Sequence, residues 1–159
     1  SCLNLSVEVQ LSEFVLNHVI AEDAGQCFGE ALLAAANQLM KDQGINGHGT
    51  ATGFIDEAVA HVRLAFEYRS GFYFHRGPVV MPGLVEDMQC TDLWNFLGGI
   101  AQGARATLHV DLASGEDPHH IWESVFRGLG EATRQAFSPC PWRIGQTAGV
   151  AGFIEVKPE

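Results

Sequence analysis

The sequence predicts an α+β domain in which helices cover one face of a sheet. Segments with alternating apolar residues, typical of strands, are followed by longer segments with the three-to-four-residue periodicity of amphipathic helices. Strands outnumber helices, and the helices come in pairs, an order that favours helices segregated to one side of a sheet. A repeat within the chain supports the same fold class, because it relates a strand and its following helix to a second such unit.

Two parts of the chain resemble each other at a constant spacing of 101 residues. The shift aligns three pairs of segments: residues 5–9 with 106–110, residues 18–22 with 119–123, and residues 29–31 with 130–132. A shared offset across a strand, a helix start and a helix interior indicates internal duplication. We therefore divide the chain into a first half, residues 1–49, and a second half, residues 50–159.

The first half is predicted to contain one strand and one helix. Residues 3–11 alternate as a strand, residues 23–41 carry an apolar stripe, and residues 44–49 form a glycine-rich turn. About fifty residues precede the strand of the second copy, whereas almost none precede that of the first, so we interpret the first half as incomplete. The chain begins without Met, which we interpret as a cut, processed or incompletely represented terminus, or as a half completed by a second polypeptide.

The second half is predicted to hold the larger set of elements. Residues 50–54 and 58–68 alternate as strands, and residues 70–74 either extend the second strand or begin another. A Gly/Pro loop over residues 75–86 leads to a helix over 92–104, capped by Thr91 or Asp92. The remaining expected elements are a strand over residues 106–111, a loop over 113–118, a helix over 119–137 that ends before Pro139, and a strand over 150–156 in a glycine-rich tail.

Composition excludes several classes of function. The formal net charge is −10 with nine scattered Lys and Arg residues, which argues against nucleic-acid and anionic-membrane binding. No apolar run approaches the roughly 20 residues that span a bilayer. The four cysteines lack metal-site or framework spacing, so we expect reduced thiols in a cytoplasmic protein.

The start of the last predicted helix carries a candidate metal site. His119, His120 and Glu123 follow the sequence Gly-Glu-Asp-Pro, and on a helix Glu123 shares a face with each histidine. Imidazole and carboxylate are the ligands of divalent metals such as Zn, Mn, Fe and Ni. The alternative is an ordinary helix-start cluster, with Glu123 stabilised by the helix dipole. His18 and Glu22 form the corresponding group of the first copy, as ligands or as a surface pair.

The assembled motifs resemble those of the imidazoleglycerol-phosphate dehydratase family over about residues 7–137. Residues 18–23 and 28–32 resemble its HHxxED and LGEAL motifs, and residues 49–58 resemble its GSATxPLDEAL segment. Residues 107–109 match its TLH, and residues 119–126 match its HHxxExxF. The resemblance implies two packed ββαβα-like halves of the ribosomal protein S5 domain 2-like fold, with helices packed on one face of a mixed sheet. It also implies homo-oligomers built from trimers, up to a large cubic assembly.

The resemblance also implies a reaction and a set of site residues. The family dehydrates a phosphorylated imidazole diol at paired manganese sites where subunits meet. The implied metal ligands are His18, Glu22, His109, His119, His120 and Glu123, and the implied substrate-binding residues are Asp56, Glu57 and Arg69. Glu22 or Glu123 would move the proton. The competing readings are a satisfied core histidine for His109, turn carboxylates for Asp56 and Glu57, and a solvated strand-end charge for Arg69.

Several positions depart from the family pattern. Val19 stands where the family has a histidine ligand, Gly47 and Gly98 stand where it has arginines, and residues 146–149 lack its C-terminal lysine. Arg69 alone remains to bind a phosphate, which ordinarily takes several cationic or amide donors. We therefore expect a metal-dependent carbon–oxygen lyase with an altered or lost native substrate. The alternative is a non-catalytic homologue that keeps the fold and assembly as a ligand-binding or structural protein.

Overall fold

The structure, a computed structural model, describes Glu8, Gln10 and residues 16–149. Within these residues a long helix comes first, and six strands and two further helices follow it in mixed order. The elements are α1 (Asn17–Asp42), β1 (His48–Ile55), β2 (Ala58–Ala65), β3 (Gly71–His75), β4 (Leu84–Val85), β5 (Met88–Gln89), α2 (Cys90–Gly103), β6 (Thr107–Ser114) and α3 (Pro118–Ala136), with a 3-10 turn at Pro141–Arg143. Within the described range, no helix has the length and hydropathy needed to cross a membrane.

Four strands form a mixed sheet in the order β1-β2-β6-β3. The β1–β2 hairpin and the β2–β6 pair are antiparallel, whereas β3 runs parallel to β6. Parallel neighbours need a long crossover connection, and here the crossover contains the β4–β5 hairpin and α2. The structure thus confirms the predicted α+β class with a mixed sheet.

One face of this sheet is buried and the other is open. Along each long strand alternate residues are buried, and the register places Ala51, Val62 and Val110 side by side on the buried face. Helix α3 lies against β1 and β2 on this face, and α2 contacts β3. The approach of α3 is close, because a Cβ atom added at Gly53 would lie 1.9 Å from the Ser124 carbonyl oxygen. The helices therefore cover one face, as predicted.

Helices α1 and α2 run parallel in direct backbone contact. A Cβ atom at Gly25 would lie 2.2 Å from the carbonyl oxygen of Phe96, and one at Gly103 would lie 2.0 Å from that of Gln26. Gly29 and Gly99 make equivalent approaches one turn along each helix. Small residues at such spacing let two helix backbones meet, so α1 shares a core with the second predicted half. Helices α1 and α3 begin at Asn17 and Pro118, which agrees with the 101-residue shift.

The starts of helices α1 and α2 were predicted incorrectly. Helix α1 begins at Asn17 rather than residue 23, so His18 and Glu22 lie inside it. Helix α2 begins at Cys90, and neither Thr91 nor Asp92 caps it: Gln89 holds the N-cap position without a side-chain hydrogen bond. The chain enters α2 directly from the β4–β5 hairpin, where the Cys90 amide donates to the Gly83 carbonyl at 3.0 Å. This contact fixes the helix start without a capping side chain.

Several strand boundaries also differ from the prediction. The strand expected over residues 58–68 ends at Ala65, and residues 71–75 form a separate strand because they pair with β6 instead of extending β2. The expected loop over residues 75–86 contains β4 and leads directly into β5. Strand β6 extends to Ser114. The strands predicted over residues 3–11 and 150–156 lie outside the described residues, apart from Glu8 and Gln10, and the division at residue 49 stays a prediction.

Candidate functional site

The first turn of α3 holds the two adjacent histidines in fixed positions. Asp117 is the N-cap, and its Oδ1 accepts the backbone N–H groups of His119 at 2.8 Å and His120 at 3.3 Å. Pro118 follows at the first helical position, where its fixed φ suits the helix. The two imidazole rings diverge, with centroids 6.1 Å apart and planes at 75°. They therefore face different neighbours.

His120 is oriented by Glu57 of the β1–β2 turn. Its Nδ1 lies 2.8 Å from Glu57 Oε2, while Glu57 Oε1 accepts the backbone N–H groups of Asp117 at 2.9 Å and Glu116 at 3.0 Å. These amides and the His120 ring lower the pKa of Glu57 to about 2, and the Glu57 hydrogen bond raises the pKa of His120. A neutral ring that donates from Nδ1 keeps Nε2 free to accept. That nitrogen faces Asp56 Oδ2 at 3.4 Å.

His119 lies between two further carboxylates. Its Nδ1 is 3.3 Å from Glu86 Oε1, in the β4–β5 turn, and its Nε2 is 3.1 Å from Glu123 Oε2. Glu123 also pairs with Arg127 at 2.6 Å, and Arg127 donates to the Phe54 carbonyl at 3.1 Å. Glu123 is thus held one turn into the helix between an imidazole and a guanidinium.

The carboxylates and histidines meet because two turns and the start of a helix lie at the same edge of the fold. The β1–β2 turn supplies Asp56 and Glu57, the β4–β5 turn supplies Glu86, and α3 begins beside both. The indole Nε1 of Trp122 donates to Cys90 Sγ at 3.2 Å, which ties the first turns of α3 and α2. His18 lines a cleft with Gln89 and Asp92 and so lies at this same edge, but among the described residues it does not contact the α3 histidines.

His109 lies away from this cluster. It alternates with the buried Leu108 and Val110, so its ring projects from the open face of the sheet, where it stacks on Tyr73 with centroids 4.6 Å apart. Helix α3 covers the opposite face. His109 is therefore neither a core histidine nor a neighbour of His119 and His120 within one chain.

Arg69 is also separated from the acidic pair that it was expected to accompany. It follows β2, whereas Asp56 and Glu57 precede it, so the length of an eight-residue strand, roughly 25 Å, lies between them. Its side chain is 79% exposed and pairs with Glu67 at 2.7 Å. Within one chain these three residues do not form a single binding site.

The described residues contain no group of three or more His, Cys, Asp or Glu side chains arranged to hold a metal. One chain offers two oriented imidazoles with neighbouring carboxylates, and a complete shell would need further donors. Sequence reasoning missed Asp117, Arg127 and Glu86 as parts of the cluster. The first two carry local signals, an Asp-Pro helix start and an i,i+4 pairing with Glu123. Glu86 is brought to the cluster by the β4–β5 turn, and no local sequence pattern marks it.

Comparison with known proteins identifies relatives of this chain. A family model described as imidazoleglycerol-phosphate dehydratase matches residues 1–133. The imidazoleglycerol-phosphate dehydratase of Oleidesulfovibrio alaskensis is 38% identical over 120 residues, which cover 75% of this chain and 59% of the relative. That of Methylococcus capsulatus is 33% identical over 150 residues, which cover 94% of this chain and 71% of the relative. The chain thus spans about three-fifths to seven-tenths of these two relatives.

Solved structures agree with the sequence relatives. The crystal structure of the dehydratase from Staphylococcus aureus superposes with a TM-score of 0.72 at 25% identity, covering 84% of this chain and 72% of that one. The enzyme from Pyrococcus furiosus, in complex with (S)-C348, gives a TM-score of 0.72 at 29% identity, covering 89% and 74%. With a family match over residues 1–133 and the same fold in both structures, the chain belongs to the imidazoleglycerol-phosphate dehydratase family.

Proposed function

We propose that this chain acts as an imidazoleglycerol-phosphate dehydratase-like, metal-dependent carbon–oxygen lyase with an altered native substrate. The observation that carries the proposal is the Glu57–His120 pair, because a carboxylate that orients an imidazole is the usual second shell of a metal-binding histidine. Family membership supports the reaction class. Because the chain spans only part of these relatives, the reaction itself is part of the proposal.

The donor set at the start of α3 fits a divalent ion. In this proposal His119, His120 and Glu123 bind metal from one protomer, and His18 and Glu22 bind from another copy, since the α1 and α3 groups do not touch each other among the described residues of one chain. The ion, manganese by resemblance, would supply a Lewis acid and a template when bound. His109 lies on the other face of the sheet from α3, so in this proposal it too would act as a ligand only toward another copy.

The remaining roles, which are proton transfer, ligand contact and positioning, are assigned to individual residues of the chain. Arg127 pairs with Glu123 at 2.6 Å and holds this carboxylate beside His119, in position for a ligand role. Glu22, which is exposed near the start of α1, is proposed both as a ligand and as the group that moves the proton. Asp56 faces His120 Nε2 and is placed to contact a ligand bound there, whereas Glu57 positions the histidine.

The alternative function is a non-catalytic homologue that binds a ligand or a structural ion. The position of Arg69 favours it: the only arginine carried over for phosphate binding is paired with Glu67, a strand's length from Asp56 and Glu57. A phosphate at the α3 cluster would meet several carboxylates and one arginine, Arg127, which is already paired with Glu123, and would need further cations from another copy. Little turnover of the family's phosphorylated substrate is expected on either proposal.

Metal content and activity can be measured on the same preparations. Purified chain loaded with manganese is expected to retain ions after desalting, counted by plasma mass spectrometry, and to form trimers or multiples of them by light scattering. His120→Asn and Glu57→Gln should lower the bound metal, while the control His61→Asn, on the open sheet face beside Thr52, should not. Dehydration of imidazoleglycerol phosphate and of non-phosphorylated imidazole diols then tests the reaction.

The outcomes separate the two functions. Bound metal with turnover of a diol supports the lyase, and bound metal without turnover supports the non-catalytic homologue. Equal metal content in wild type and His120→Asn would remove the metal site altogether. Manganese as the ion, the trimer-based assembly, a second polypeptide that completes the first half, and cytoplasmic location stay predictions until these measurements and a localisation experiment are made.

A further inference from the structure

The β4–β5 turn places a carboxylate beside one nitrogen of His119. Glu86 Oε1 lies 3.3 Å from His119 Nδ1, while Glu123 Oε2 lies 3.1 Å from His119 Nε2. Two donors that bind one divalent ion, each about 2.1 Å from it, lie roughly 3 Å apart. The Nε2 atom and Glu123 therefore have the spacing of two ligands of the same ion, which leaves Nδ1 for a hydrogen bond.

Glu86 is placed to orient His119 rather than to share that ion. The two nitrogens of an imidazole point in diverging directions, and Glu86 lies on the Nδ1 side of the ring while Glu123 lies on the Nε2 side. A neutral imidazole that binds metal through Nε2 carries its hydrogen on Nδ1 and donates it, usually to a carboxylate or a carbonyl. Glu86 faces this Nδ1 as Glu57 faces Nδ1 of His120, at 2.8 Å. Each histidine thus has a carboxylate from its own β-turn.

The backbone of Glu86 adopts a conformation that favours glycine. Its φ is +53°, in the left-handed region, where Cβ comes too close to the backbone. The Glu86 side chain is 74% exposed, so burial does not offset this cost, and an exposed ion pair contributes little to stability. Stability alone would therefore favour glycine at this turn. Backbone strain that persists in this way is concentrated at functional sites.

A second strained residue lies beside the other histidine. Four described residues other than glycine have a positive φ, namely Asp56, Tyr68, Glu86 and Arg105. Asp56 faces His120 Nε2 at 3.4 Å, so two of these four lie at the histidine pair. Tyr68 and Arg105 instead contact each other, with the guanidinium carbon 5.5 Å from the ring centroid. Arg105 follows the end of α2, whereas Glu86 precedes its start, so the strain at Arg105 is remote from the metal site.

We propose that Glu86 is a positioning residue of the metal site: it accepts the Nδ1–H group of His119 and so presents Nε2, together with Glu123, to the ion. The inference rests on the function proposed above, because it requires that His119 binds metal. It gives the β4–β5 hairpin a role in metal affinity although the hairpin supplies no ligand. The backbone of Glu86 then lowers the stability of the fold, while its carboxylate raises the affinity for metal.

Glycine at this position separates the two effects. Manganese affinity is measured on the full chain by competition with a chelating dye, and urea midpoints are measured with a chelator present. Glu86→Gly should weaken manganese binding about tenfold, the lower end of the losses caused by removing a hydrogen-bond partner of a metal ligand, and should raise the urea midpoint. Glu86→Gln, which keeps an acceptor oxygen without the charge, should lose less affinity. In the background His119→Asn, Glu86→Gly should cause no further loss, because its action requires the His119 ring.

Two variants serve as controls. Asp87→Asn removes the neighbouring negative charge of the same turn and should change manganese affinity less than about twofold. Arg105→Gly releases a left-handed backbone at the other end of α2 and should leave manganese affinity unchanged, whatever its effect on the urea midpoint. Together they separate the position of the Glu86 carboxylate from its charge and from the backbone conformation.

The outcomes distinguish this inference from the metal site itself. If His119→Asn weakens manganese binding and Glu86→Gly does not, Glu86 has no positioning role and the metal site stands. Weaker binding by Glu86→Gly together with a lower urea midpoint would assign Glu86 a structural role, and an equal loss of affinity in Asp87→Asn would reduce the effect to charge. Either result overturns the proposal. Wild type that binds no manganese would refute both the metal site and the role of Glu86.

Discussion

Replacing Gly53 by alanine tests the contact between β1 and α3 that positions the histidine pair. The new methyl would lie 1.9 Å from the Ser124 carbonyl oxygen and 2.3 Å from the Gly128 amide nitrogen, whereas ordinary contacts begin at 3.4 Å. The strand and helix must therefore separate by about 1.5 Å at this point. Both neighbours are backbone atoms that cannot rotate away, so we expect a loss of about 3 kcal/mol in the free energy of unfolding, the upper end of typical overpacking costs.

Urea unfolding of Gly53→Ala and Gly130→Ala provides the comparison. Nothing lies within 4 Å of a Cβ at Gly130, an exposed position inside α3, so this variant should gain about 0.5–1 kcal/mol from helix propensity. For a chain of this length, the Gly53→Ala loss corresponds to a melting temperature lower by about 6–12 °C. If Gly53→Ala unfolds within about 0.5 kcal/mol of wild type, the close approach of α3 to β1 is wrong.

Three further predictions concern the α3 cluster. Asp117→Ala should lower the free energy of unfolding by about 1 kcal/mol through loss of the N-cap, with Asp117→Ser nearly neutral in the same urea assay; equal stability of Asp117→Ala and wild type would contradict the capping role. Because the folded pKa of Glu57 lies near 2, below its ordinary 4.5, its stabilising contribution is present above pH 4.5 and is lost as the pH falls toward 2. The raised pKa of His120 has the opposite sign: its contribution is complete below pH 6.5 and is lost as the pH rises through the folded pKa. Urea midpoints between pH 2 and 8 for wild type and Glu57→Gln check both signs, and identical acid profiles would refute the Glu57 assignment. Finally, manganese at a hundred times its dissociation constant should stabilise wild type by about 2.7 kcal/mol, and a thermal shift that persists in His120→Asn would contradict its role as a ligand.

Elements with strong local signals could be predicted from the sequence. Helix α3 begins within one residue of its expected start, because Asp117-Pro118 combines an N-cap with a favourable first position. Helix α1 begins earlier than expected, since Leu16 occupies its N-cap without a side-chain hydrogen bond and leaves no mark in the sequence. The two-residue strands β4 and β5 are too short to show a periodic pattern.

The candidate site was only partly predictable, because local sequence patterns mark some of its residues and not others. The imidazole pair is local and was expected, whereas the carboxylate that orients His120 lies 63 residues away in sequence and arrives through the β1–β2 turn. The direction of His109 was readable, because alternation with Leu108 and Val110 requires its ring to face the other way. The separation of Arg69 from Asp56 was also readable, because the strand predicted over residues 58–68 already places them beyond its opposite ends.

The glycine contact between α1 and α2 limits how these two helices can be arranged. Their backbones touch at Gly25 and Gly29 on one helix and at Gly99 and Gly103 on the other, so sliding by a single residue would push a side chain into a carbonyl group. Glycine can face glycine again only after a displacement of four residues, about 6 Å along the axis. Main-chain contacts alone therefore fix the position of His18 along the axis of α1, relative to the β4–β5 hairpin, to within a fraction of a helical turn. The side chains around His18 can change in sequence without changing that position.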